Sequence, residues 1–270
     1  MASTTDHERR AETPARHSST GTSSPGASSP GTSSRGTVRA WDVPTRLFHW
    51  SLVMLVFTSW ATFTYSEWLS DPTLTYHRYS GYTILILVTW RLIWGVIGPD
   101  TVRFSSFVRS PVRAVSFARK FLTRDDPHYL GHNPVVAYAV LLMLVLLAGQ
   151  TVLGLLSEEH NGTTWGPLFF LVENDDTRAW LTELHGTLFY YGILAIVGIH
   201  VLAAFFHDTV RREGITKAMV TGKKPAKDYI DGRGIVESPA AIATRAMIAL
   251  AVATALVFGT IKLLGGKLFY

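Results

Sequence analysis

Five mostly apolar runs, at residues 47–65, 76–94, 135–156, 183–206 and 240–264, limit what this chain can become. Each is long enough to cross a hydrocarbon core about 30 Å thick as an α-helix, and a backbone in that medium must satisfy its own hydrogen bonds. The first forty residues contain almost nothing apolar, yet the whole chain is 47% hydrophobic with a mean hydropathy of +0.20. The expected fold class is therefore an all-α membrane protein, a four-helix transmembrane bundle followed by a fifth C-terminal transmembrane helix. Three units are expected: a disordered cytoplasmic tail at 1–37, a helical core with its loops at 38–240, and the fifth helix with a short outer tail at 241–270. The tail carries the near-repeat SSPGASSPGTSS and too little apolar surface to offset the entropy of ordering. No apolar run follows its basic start directly, so it does not read as a secretory leader.

Charge between the runs sets an orientation. Lys and Arg crowd the 100–132 and 207–239 connectors, whereas 66–76 has none and 157–182 has only Arg178. The positive-inside rule then puts the N-terminus in the cytoplasm and, with five spans, the C-terminus outside. This distribution explains the formal charge of +5 as topology; no base-reading motif accompanies it, and nucleic acid is not expected as a partner. The 100–132 connector interleaves arginines with Phe and Val, a pattern for either a short helix along the bilayer surface or a basic connector. The chain has no cysteine, which excludes a disulfide framework, a thiolate-held iron–sulfur cluster and thioether-linked haem.

Four histidines fall at two depths of this topology. His49 opens the first span and His200 lies near the end of the fourth, both on the cytoplasmic side; His77 opens the second span and His185 opens the fourth, both on the outer side. On a regular helix the fifteen residues from His185 to His200 cover about 22 Å and leave the imidazoles about 60° apart around the axis. A haem iron takes two axial nitrogens from opposite faces of the macrocycle. Pairing His49 with His200 and His77 with His185 would hold two haems b, one near each membrane face. Interfacial histidines without a cofactor are the alternative, weakened by the cost of ionisable groups within spans. Arg46, Arg78 and Arg91 are candidate partners for haem propionates, since a guanidinium fork matches a carboxylate; snorkelling to headgroups is the other reading. His128, His132, His160 and His207 lie in or beside connectors, with His207 the nearest competitor of His200 as a ligand. Gly81 and Gly186, close to His77 and His185, would let a flat ring approach the backbone.

The segments VRAWDVPTRLFHW (38–50), HRYSGYTILILVTWRLIWG (77–95), LHGTLFYYGILAIVGIH (184–200) and MVTGKK (219–224) give the chain a family resemblance. It resembles the bacterial cytochrome b561 and nickel–iron hydrogenase b-type cytochrome family of diheme membrane proteins. The resemblance implies haem b ligation by His49, His77, His185 and His200, and residence in the bacterial inner membrane. It also implies electron exchange between a quinone pool and an outer-face redox enzyme or cytochrome, with oligomers compatible. The chain would then be an electron-transfer protein or a subunit of a redox enzyme rather than a self-contained catalyst. A fifth span favours the hydrogenase-like branch over the compact four-helix one. The quinone-site candidates are the aromatic stretch at 165–170 and the His207 region. Two other functions stay open: a stand-alone quinone-linked oxidoreductase such as a superoxide oxidase, and a haem-free membrane anchor or transporter.

Overall fold

Helix starts follow from local chemistry. In the computed structural model, which describes residues 36–71, 73–122, 129–158, 164–232 and 234–268, helix α1 spans Val43–Thr64. Asp42 caps it, accepting from the Thr45 backbone N–H at 2.7 Å and its hydroxyl at 2.8 Å, with Pro44 in the first turn. Helix α2, Thr75–Ile97, has no side-chain cap at its N-cap residue; Asp71 instead accepts from the Tyr76 N–H at 2.9 Å. Two short helices follow, α3 at Phe104–Phe107 and α4 at Pro111–Leu122. Helix α5, Pro134–Leu156, begins under an Asn133 cap with proline behind it.

The fourth crossing is longer than its apolar run. Asn174 caps helix α6, Asp175–Thr187, and Asp175 and Asp176 sit in its first turn, where the helix dipole favours negative charge. The chain passes without a break through a π-helical turn, Leu188–Ile193, into helix α7, Leu194–Thr209. This Asp175–Thr209 crossing has 35 residues, against 22 to 25 in the other four apolar helices. Helix α8 is Ile215–Thr221, and helix α9, Pro239–Leu263, starts on a Ser238 cap. Strands β1, Thr37–Arg39, and β2, Lys223–Pro225, pair antiparallel with Val38 opposite Lys224.

Five helices are long and apolar enough to cross a membrane, and the protein is a multi-pass membrane protein. Helix α2 lies at the centre, packed against α1, α5 and α9, while α5 also packs against α6 and the π turn. The α9 seam consists of Ile242, Ala246, Ala249, Ala253, Val257 and Ile261, all buried, with three alanines allowing close approach to α2. The Trp90 indole donates to the Ala246 carbonyl at 3.0 Å, and Arg245 donates to the Ile97 carbonyl at 3.2 Å where α2 ends. Gly95 is helical. Its missing side chain leaves room for Phe104, whose ring a Cβ would meet at 2.1 Å, and the helix stops at Gly98–Pro99. Residues 1–35 of the expected disordered tail, His128 and His160 lie outside the described residues.

Candidate functional site

The packing brings the four histidines of the two apolar depths together in pairs. His49 on α1 faces His200 on α7 with ring centroids 6.2 Å apart, and His77 on α2 faces His185 on α6 at the same 6.2 Å. Facing imidazoles at this spacing leave room for one metal that a nitrogen of each ring, at about 2 Å, would hold. The ring planes are inclined at 53° in the first pair and 88° in the second.

The π turn between His185 and His200 changes their relation from that of a regular helix. It carries one residue more than the α-helical register, so the two histidines sit as if fourteen steps apart. They are about 21 Å apart along the axis and about 40° around it, on the other side from the regular-helix value. Both still address the side on which α1 and α2 supply their partners.

The His77–His185 pair has a defined tautomer. His77 Nδ1 lies 2.8 Å from the Ser59 carbonyl, and His185 Nδ1 lies 2.9 Å from the Gln150 carbonyl. A carbonyl only accepts, so the proton sits on Nδ1 in each ring and the lone pair on Nε2. A histidine that ligates a metal is normally oriented by this kind of hydrogen bond. The Gln150 side-chain amide donates to His185 Nε2 at 3.3 Å and must turn aside for an iron to take that lone pair. Sequence reasoning overlooked Ser59 and Gln150. Their signal was available, since each is a polar residue inside an otherwise apolar run, where such residues usually serve a partner across helices.

Around this pair lies a largely apolar cavity lined by both histidines, Trp60, Phe63, Gly81, Gly154, Phe189 and Tyr190. A Cβ added at Gly81 or Gly186 would meet nothing within 4 Å, and one at Gly154 would come within 3.0 Å of the His185 ring. Apolar walls, facing imidazoles and side-chain-free backbone suit a flat macrocycle that brings its own four nitrogens. Among the described residues, no group of three or more His, Cys, Asp or Glu is assembled to hold a metal by protein ligands alone.

The three arginines have different surroundings. Arg78 lines the cavity beside His77 and His185. Arg46, one helical turn before His49, donates through Nη1 to the Val220 carbonyl, and its Nε is buried without a partner among the described residues. Arg91 is 3% exposed, donates to the Val102 carbonyl at 3.1 Å and lies over the Phe104 ring at 4.9 Å. These contacts turn Arg91 toward the α2–α3 connection, not toward a histidine pair. His207 engages Glu213 at 3.0 Å, and Trp165 stacks on Phe169 at 5.7 Å. Lys224 is 9% exposed, and burial lowers its pKa from the ordinary value, with Asp231 and Glu213 opposing the shift.

Comparison with known proteins gives the family. The sequence model of prokaryotic cytochrome b561 matches residues 40–222. Three similar curated proteins carry the description "Probable Ni/Fe-hydrogenase B-type cytochrome subunit". The Bradyrhizobium diazoefficiens protein is 23% identical over 223 residues, covering 71% of this chain and 87% of its own length. That of Rhizobium leguminosarum bv. viciae is 25% identical over 223 residues, covering 72% and 92%. That of Cupriavidus necator is 26% identical over 217 residues, covering 70% and 87%. No solved structure matches the chain. With the match spanning α1 through α8 and all four paired histidines, the chain belongs to the prokaryotic cytochrome b561 family, whose members are b-type cytochromes of membrane electron transfer.

Proposed function

We propose that the protein is a diheme cytochrome b that moves electrons across the bacterial cytoplasmic membrane between a quinone pool and a redox enzyme on the outer face. The observation that carries this reading is the repetition of one arrangement at two depths: facing imidazoles 6.2 Å apart, twice, with His185 and His200 on one continuous crossing. Bound haem would supply the one-electron iron couple. His77 and His185 would hold the outer group, with Ser59 and Gln150 carbonyls fixing their rings; His49 and His200 would hold the inner one. Arg78 and Arg46 would meet propionates, whereas Arg91 contacts the connector. Two sites at different depths divide the bilayer crossing into shorter electron transfers.

The relatives' description as hydrogenase B-type cytochrome subunits supports a hydrogen-oxidising partner, and the fifth helix accords with that branch. Lys and Arg in the connectors at 100–132 and 207–239 support a cytoplasmic N-terminus and an outer C-terminus. Exposed Glu173, Asp175, Asp176 and Glu183 on the outer side disfavour an anionic substrate such as superoxide at that face. In proteoliposomes holding a water-insoluble quinone, a reduced outer-face donor is expected to reduce the quinone through the purified protein. Gentle detergent extraction is expected to retain a hydrogenase-type partner. A b-type difference spectrum without electron passage to quinone in the liposomes would refute the quinone link.

A further inference from the structure

The MVTGKK segment, residues 219–224, has no role in the ligation described above, yet it sits where α1 and α7 need support. These two helices carry the inner pair and have few buried positions with which to hold it. Helix α7 has no buried residue, and α1 has only Thr45 and Thr62. Resting on the diheme reading, we propose that the turn at 219–224 is a latch that sets the spacing of the His49–His200 pair, with Gly222 as its positioning residue.

The latch works through backbone carbonyls. Helix α8 packs against α7, and the last carbonyls of such a helix lack intrahelical donors. Here α1 supplies the donors: Arg46 Nη1 gives a hydrogen bond to Val220 O, and Trp50 Nε1 gives one to Met219 O at 3.4 Å. Arg46 and Trp50 bracket His49, so the turn grips α1 on both sides of that histidine. Gly222 then takes φ 78°, a left-handed conformation suited to glycine, and its carbonyl accepts from Ala40 N at 2.9 Å and Trp41 N at 3.2 Å. Those residues lead directly into the Asp42 cap of α1. Pairing of β2 with β1 extends the attachment, and Lys224 Nζ donates to the Tyr129 and Leu130 carbonyls at 3.2 and 2.8 Å.

Gly222 leaves no room for a side chain. A Cβ there would lie 2.8 Å from the Trp41 carbonyl oxygen and 3.2 Å from Arg46 Nε. Relief requires the α8 turn to back away from α1. The outer pair rests on different contacts, the Ser59 and Gln150 carbonyls of α1 and α5, about three turns along α1 from the latch.

The test uses the absence of cysteine from the chain. Spin labels on a Leu47→Cys, Leu202→Cys background report α1 and α7 beside the His49–His200 pair; labels on Tyr65→Cys, Thr187→Cys report the end of α1 and the end of α6 beside His185. Gly222→Val is expected to broaden and lengthen the first distance distribution while leaving the second unchanged. Haem content is expected to fall from two per chain to one. Unchanged distances in the first label pair, or equal disturbance of both label pairs, would overturn the latch. Should Gly222→Val fail to accumulate, Trp50→Phe removes only the indole N–H and is read with the same labels. It is expected to give a smaller broadening confined to the first label pair, and no broadening would overturn the proposal. Fewer than two haems in the parent would instead remove the diheme reading, and the label distances would still decide the latch.

Discussion

His132 lies just before α5, its ring 4.9 Å from that of Trp41 and 4.6 Å from that of Phe107, with Nδ1 buried and unpartnered among the described residues. Burial, together with the Arg91 and Lys224 charges, pushes its pKa down to about 3. The unfolded chain binds that proton near the ordinary histidine value of about 6.5, so the native state is disfavoured as pH falls from there toward about 3, by up to ~1.4 kcal/mol per pH unit. His132→Phe keeps a ring between Trp41 and Phe107 and removes the titration. Thermal melting in detergent at about pH 7.5 and about pH 5.5 is expected to show a smaller loss on acidification in the variant than in the parent. Equal losses would contradict it. The residue was legible in sequence as a connector histidine. Its neutral, enclosed state was not, because Trp41 and Phe107 come from distant parts of the chain.

At the scale of elements, α9 lies outside the residues matched by the family model, yet it covers the back of α2 from Trp90 to Tyr82. Its seam depends on small residues. Ala253 is 0% exposed, so Ala253→Leu adds volume to a filled contact and is expected to cost about 1–3 kcal/mol. Met247, 65% exposed on the opposite side, is expected to tolerate leucine within about 0.5 kcal/mol. Denaturation of the two purified variants checks the contrast, and equal effects would show that the seam is not tightly packed. The spans themselves were legible because long apolar runs leave few alternatives. Ends were less so: the apolar signal of the fourth span starts near residue 183, but the Asn174 cap and the Asp175–Asp176 turn start the helix earlier. The π turn at Leu188–Ile193 has no compositional signature, being as apolar as its neighbours, and only the hydrogen-bond register of the folded helix reveals it.

Across the whole molecule, two kinds of contact hold the two depths. The His77–His185 pair sits among α1, α2, α5 and α6, with both rings tied to carbonyls of neighbouring helices. The His49–His200 pair spans α1 and α7, which the proposed latch at 219–224 joins. The two facing ring pairs were expected from histidine positions and loop charge. The ring-orienting carbonyls and the latch were not, because both are backbone contacts between segments distant in sequence, set by tertiary packing. The most direct test of the account is the haem-to-protein ratio, by pyridine extraction, in the parent and in His185→Ala and His200→Ala variants. The account predicts two haems b in the parent and one in each variant, with a different component of the redox titration missing in each. A parent with one haem, or variants that retain both, would contradict it.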